Sequence, residues 1–189
     1  MHATLRRRHC LQLLGSLAGW AGAGGMAHAT PPAAAPGGSP GGRLVAWHAH
    51  PNTPRLQAQS LEGQNRSLRD FAGVPLIVNF WASYCAPCQL EMSQFNTLLE
   101  QYRPQGLRVL AVNHGEMPAR VRSFLHTVPF HGDVLLDRSQ TQLPAWGGMA
   151  LPTSFVLDAQ GRVQGWHVGE IDWLRADVQS QLRTIVVGG

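Results

Sequence analysis

Two cysteines separated by two residues, Cys85-Ala86-Pro87-Cys88, follow closely on the apolar run Pro75-Leu76-Ile77-Val78-Asn79-Phe80-Trp81. A pair so spaced at a helix start sets the first sulfur beside unpaired backbone N–H groups, which favour thiolate over thiol, and keeps the second within reach. The chemistry open to it is disulfide exchange: Cys85 attacks, and Cys88 resolves the mixed disulfide. Pro87 suits the first helical turn, where its missing N–H costs little, and helps fix the spacing of the sulfurs. A structural or zinc-binding pair is the competing reading. As a staple, however, the bond would close only a very short loop and contribute little.

Glu91 lies one helical turn beyond Cys88, where a partly desolvated carboxylate would accept the proton of the resolving thiol; a solvated surface acid is the alternative. Beyond residue 29 the six histidines, 48, 50, 114, 126, 131 and 167, have no compact metal-ligand spacing, and no metal site is expected. His48-Ala49-His50 reads as a solvent-facing strand or loop. Asp137, Asp158, Glu170 and Asp172 read as turn and cap residues.

Composition removes other chemistries. The chain has no lysine, which excludes a phosphate-loop lysine and a Schiff base with pyridoxal phosphate. Arg6-Arg7-Arg8, the uncharged stretch from Cys10 to Ala27, and Ala27-His28-Ala29 read as a secretory signal peptide spanning 1–29. Export to the periplasm is expected, with a membrane tether as the outcome if the segment is retained. The export route, general secretory or twin-arginine, stays open. Without 1–29 there are twelve arginines against eleven acidic residues, too little positive charge for a nucleic-acid partner. Cys10 leaves with the signal, so Cys85 and Cys88 are the remaining thiols. Residues 30–42, rich in Pro, Gly and Ala, have the composition of a flexible linker, and one domain over 43–189 is expected.

The elements that position the cysteines follow from periodicity. Leu56, Ala58 and Leu61 with the turn Glu62-Gly63-Gln64-Asn65 read as a short N-terminal hairpin, and Leu68 to Phe71 as one helical turn. The run 76–81 is a central strand covered on both faces. Phe95, Leu98, Leu99 and Tyr102 give the apolar stripe of a helix over about 86–103, ended by Pro104 and Gly106. A strand over 107–112 follows, then a helix opened by Pro118 with Val121, Phe124, Leu125 and Val128 on one face. Residues 134–136, 153–157 and 162–167 read as strands, the last two joined by the turn 158–161 into a hairpin. Ile171, Leu174, Val178, Leu182 and Ile185 predict a final helix.

This order, with Cys-X-X-Cys at the first long helix, resembles the thioredoxin fold, and the details look like its exported TlpA/ResA-like branch, related to the redoxin and AhpC/TSA proteins. The resemblance covers about residues 53–187. It is carried by Val78-Asn79-Phe80-Trp81-Ala82-Ser83-Tyr84-Cys85-Ala86-Pro87-Cys88, Glu91-Met92, Leu110-Ala111-Val112-Asn113, Trp146-Gly147, and Leu151-Pro152-Thr153-Ser154-Phe155-Val156-Leu157-Asp158 with Gly161. Two departures stand out: Tyr84 where the branch commonly has Trp, and Ser93 where it often has Pro.

The resemblance implies an α/β three-layer sandwich, a central mixed sheet flanked by helices and extended by the N-terminal hairpin. It implies a protein-disulfide oxidoreductase with no cofactor beyond a redox-active Cys85–Cys88 disulfide. Pro152 is then expected to be cis, with Leu151 and Thr153 flanking the sulfurs and offering backbone hydrogen bonds to an extended client. Trp81 and Tyr84 are expected to form an apolar collar around the sulfurs, and Trp146 to line the groove. Asn79 stands where thioredoxins carry a buried aspartate, which shifts proton handling to Glu91 or water.

Implied partners are disulfide-containing client proteins, for example in cytochrome c maturation or metal-site assembly, and a membrane thiol-disulfide electron carrier. A monomer is the expected state. A Cu(I)-binding thioredoxin-like chaperone is the alternative reading. A peroxidase of the same fold would need an isolated cysteine in a Thr- and Arg-lined pocket, which does not surround Cys85.

Overall fold

The computed structural model describes residues 42–48 and 52–188. The predicted signal peptide, all of the linker but Gly42, and His50 of the histidine pair lie outside them. Eight strands form one sheet: β1 Val45–Ala46, β2 Gln57–Ser60, β3 Asn65–Ser67, β4 Leu76–Trp81, β5 Arg108–His114, β6 Asp133–Asp137, β7 Thr153–Leu157 and β8 Val163–Val168. The helices are α1 Ala86–Gln101, α2 Pro118–Thr127, α3 Gln142–Ala145 and α4 Ala176–Val187, with single 3-10 turns at Leu68–Phe71 and Arg103–Gln105.

The strand order is β1-β8-β7-β4-β5-β6-β2-β3. β4, β5 and β6 run parallel, as strands joined by α1 and α2 must, while β7 pairs antiparallel with β4 and β8 antiparallel with β7. The hairpin β2–β3 extends the sheet beyond β6. At the other edge the two-residue β1 pairs with β8; it is too short for alternation in the sequence to announce it.

Every residue of β4 is buried, as a strand covered on both faces requires. Its side chains alternate between two cores. Leu76, Val78 and Phe80 join Leu110, Val112, Phe155, Leu143 and Trp146 on one face. Ile77 points the other way, to Phe95 and Leu98 of α1 and Val178 and Leu182 of α4. Trp81 faces Cys88, Met92 and Val121. Helices therefore cover both faces, and the molecule has the three-layer thioredoxin-like architecture the resemblance implied.

The final helix starts later than the apolar spacing predicts. Residues 171–175 form a loop instead, because their backbone N–H groups are taken by side chains: Ile171 donates to Glu91, Trp173 to Gln94, and Leu174 to Asp172. Leu174, placed by periodicity on the apolar face, is 44% exposed.

Candidate active site

β4 ends at Trp81 and α1 begins at Ala86, so the central strand delivers the cysteines to the mouth of the helix. Cys85 is the N-cap, in extended conformation, and Pro87 occupies the first turn. No acidic residue stands in that turn to oppose a thiolate beside the free N–H groups. Cys85 and Cys88 are joined in a disulfide with their Cα atoms 5.3 Å apart. The pair is asymmetric: Cys85 is 9% exposed and Cys88 fully buried. Cys85 is thus a narrowly open sulfur rather than a broadly solvent-facing one.

Glu91 and Met92 continue the buried face of α1. Glu91, at 1% exposure, is a desolvated carboxyl rather than a surface acid. Asn79 Nδ2 donates to its Oε2 at 3.0 Å, and the Ile171 N–H to its Oε1 at 3.1 Å. Burial pushes its pKa up to about 8; the two hydrogen bonds pull back, the nearby Glu170 charge adds to the rise, and a weak contribution from the Trp173 indole opposes it. Asn79 Nδ2 also reaches Ser154 Oγ at 2.9 Å, linking β4 to β7, while Asn79 Oδ1 has no partner.

The Leu151–Pro152 bond is cis. Leu151, half-buried, packs against the apolar cluster that includes both cysteines. The Pro152 carbonyl accepts from the Gly169 N–H at 2.8 Å, and Thr153 is fully buried in β7 with its Oγ1 donating to the Ala150 carbonyl at 2.6 Å.

Two expected roles are corrected by these placements. Trp146 does not line a groove: it is fully buried among Phe80 and Phe155, its indole N–H donating to the Arg55 carbonyl. Tyr84 is not packed in the apolar cluster that holds the sulfurs: it is 69% exposed at the turn. Of the expected collar, Trp81 alone is packed in the cluster with both cysteines, its ring against Phe124.

Beside this turn lies a polar group that residue spacing does not announce. Ser83 is 3% exposed, and its N–H and Oγ–H donate to the Glu116 carboxylate at 2.7 and 2.6 Å. Gln89 Nε2 donates to the Ser83 carbonyl, and Arg120 Nε to Ser83 Oγ. The only signal for it was the spacing of Asn113, near the end of β5, and Glu116, just past it, which by itself marks no site. Among the described residues, no group of three or more His, Cys, Asp or Glu could hold a metal ion.

A dithiol at a helix N-terminus, a cis proline just ahead of β7 and a buried carboxyl one turn behind the second cysteine, on a three-layer mixed sheet, define a thioredoxin-fold dithiol protein. The AhpC/TSA family matches residues 51–165. The thiol-disulfide oxidoreductase ResA of Geobacillus thermodenitrificans (strain NG80-2) is 33% identical over 132 residues, covering 70% of this chain and 75% of the relative. A Chlorobium tepidum crystal structure, described as thiol:disulfide interchange protein DsbE, superposes with a TM-score of 0.66 at 28% identity, covering 70% of this chain and 94% of that one. A secreted thiol-disulfide isomerase from Corynebacterium glutamicum shares the fold at a TM-score of 0.65 and 21% identity, covering 80% and 98%. The chain belongs to the AhpC/TSA family, and within it is a thiol-disulfide oxidoreductase of the ResA/DsbE type.

Proposed function

We propose that the protein reduces disulfides of client proteins. In the first step the Cys85 thiolate attacks one client sulfur; the client S–S bond breaks, its second sulfur leaves as thiolate, and Cys85 is held in a mixed disulfide. Cys88 then transfers its proton to Glu91 in its ionised form, the minor form at neutral pH, and attacks the Cys85 sulfur, forming the Cys85–Cys88 disulfide and releasing the second client thiolate. Two electrons pass from the enzyme dithiol to the client. The observation that carries this reading is the asymmetric pair at the mouth of α1: Cys85 at the N-cap keeps some exposure while its disulfide partner Cys88 is fully buried, with the Glu91 carboxyl, its pKa pushed up to about 8 by burial, one turn behind to exchange its proton. On re-reduction the same group returns it to Cys88.

The reading extends to an exported protein whose clients and reductant meet it outside the cytoplasm. The basic and apolar pattern of 1–29 supports export, and the electron donor is proposed to be a membrane thiol-disulfide carrier. Among the described residues no helix is long and apolar enough to cross a membrane. Clients in cytochrome c maturation or metal-site assembly are proposed from the resemblance.

A reduction potential decides the direction. Equilibration with glutathione or dithiothreitol is expected to give a value near that of thioredoxin, about −270 mV; a value near −120 mV would make the protein an oxidant. Stoichiometric tight Cu(I) binding by the reduced protein, with no insulin reduction in metal-free buffer, would favour the chaperone instead.

A further inference from the structure

The turn that carries Cys85 from β4 into α1 is held from outside through one of its residues, Ser83. Within the turn the Cys85 N–H donates to the Ala82 carbonyl at 3.1 Å. Every polar group of the intervening Ser83 is bound by a side chain from outside the turn: N–H and Oγ–H by Glu116, carbonyl by Gln89 of α1, and Oγ again by Arg120 at 3.0 Å. Glu116 is itself fixed. Asn113, fully buried at the end of β5, donates Nδ2 to Glu116 Oε2 at 2.7 Å and accepts the Glu116 N–H on Oδ1 at 3.1 Å. A rigid strand end therefore aims a carboxylate at the backbone two residues before the nucleophile. Burial alone would raise the Glu116 pKa, but hydrogen bonds from Ser83 and Asn113, with the Arg120 charge, outweigh it and hold the group ionised below the ordinary carboxylate value.

We propose that Glu116 is a positioning residue for the dithiol: by gripping Ser83 it fixes the 82–85 turn, and so sets where the Cys85 sulfur sits against the first N–H groups of α1. The proposal rests on Cys85 being the attacking sulfur. It follows from what thiolate formation requires. Stabilisation by unpaired N–H groups falls off within the first helical turn, so a sulfur displaced from the cap loses it. Tyr84, next in the turn, is exposed and supplies no anchor from the core. Ser83 and its partners are the clamp that remains.

The test measures alkylation of Cys85 against pH in the reduced full-length protein, in Cys88→Ser backgrounds so that one sulfur reports. Glu116→Ala is expected to raise the midpoint by about one pH unit, and Ser83→Ala, which keeps the backbone N–H, by less. Glu116→Gln, whose carbonyl accepts the two N–H groups and whose amide can donate to Ser83 Oγ, is expected to return the midpoint most of the way. Adding Ser83→Ala to Glu116→Ala should shift it no further, since both remove one clamp. A folded Glu116→Ala variant with an unshifted midpoint, or additive shifts in the double variant, would overturn the proposal. If Glu116→Ala does not fold, Ser83→Ala alone carries the test, and an unshifted midpoint there overturns it equally. Insulin reduction by the parent protein, measured in parallel, separates the two claims: its absence sinks the reductase reading, whereas the midpoint shifts test Glu116.

Discussion

At Glu91, burial and hydrogen bonding pull in opposite directions, and the balance has a measurable sign. The carboxyl is raised from 4.5 to about 8 in the folded protein. Between those pH values the folded state holds a proton that the unfolded chain has lost, so its contribution to stability is complete below about pH 4.5 and is lost as pH rises towards 8. Urea denaturation at a series of pH values should show this as a decline of at most about 1.4 kcal/mol per pH unit from this group. Glu91→Gln removes the titrating group, so its profile should be flatter across that window; an unchanged slope would mean that Glu91 is ionised in the fold. Asn79→Asp would place a second carboxyl against Glu91 Oε2, where the wild-type amide donates at 3.0 Å. Two carboxyls at that distance cannot both ionise readily, so the variant should titrate as a coupled pair, with insulin reduction showing an additional apparent pKa in its pH profile. Glu91 was legible because helical period alone puts it one turn past Cys88. Glu116 was not, because its partner Ser83 is 33 positions away and only the β4–β5 pairing brings the strand ends together.

Among the elements, α1 does two jobs with one face. Cys88, Glu91 and Met92 point to the site while Phe95 and Leu98 anchor the same helix to the core beneath β4. Phe95 is fully buried and lies against Trp173, so Phe95→Ala should lower the unfolding free energy by about 3–5 kcal/mol in chemical denaturation; a loss under about 1 kcal/mol would mean that α1 is not held by this face. The loop before α4 is tied to the site through the Ile171 N–H, and Gly42 packs directly against it. Gly42 has φ +55°, and a Cβ there would lie 3.0 Å from the Glu170 carbonyl oxygen and 3.2 Å from Ile171 Cα. Gly42→Ala should therefore cost about 1–2 kcal/mol through strain and crowding, read as a lowered Tm. Periodicity found α1, α2 and the parallel strands because each buries a regular stripe. It misplaced the start of α4, since Ile171 and Leu174 fall on the helical period while their N–H groups are held by Glu91 and Asp172. Trp146-Gly147 was recognised as a motif, but a motif does not say which way an indole points; the second apolar face of β4 claimed it.

For the whole molecule, the redox state of one bond couples stability to chemistry. A cross-link closing four residues removes little entropy from the unfolded chain, about 2 kcal/mol on a loop-closure estimate. The oxidised protein is therefore expected to unfold at a modestly higher denaturant concentration than the reduced one, the order that suits a reductant. A reduced form clearly more stable than the oxidised form would signal an oxidant, whose dithiol is the favoured state. The architecture was readable from the order of elements around Cys-X-X-Cys, because strand-helix alternation followed by a hairpin leaves few ways to build one sheet. The division of labour between the sulfurs is the claim on which the mechanism stands, and trapping tests it most directly. Cys88→Ser and Cys85→Ser variants would each be reduced, incubated with a disulfide-containing protein such as insulin and resolved without reductant. Cys88→Ser should accumulate a mixed disulfide on Cys85 and Cys85→Ser almost none; adducts on Cys88 alone would contradict the account.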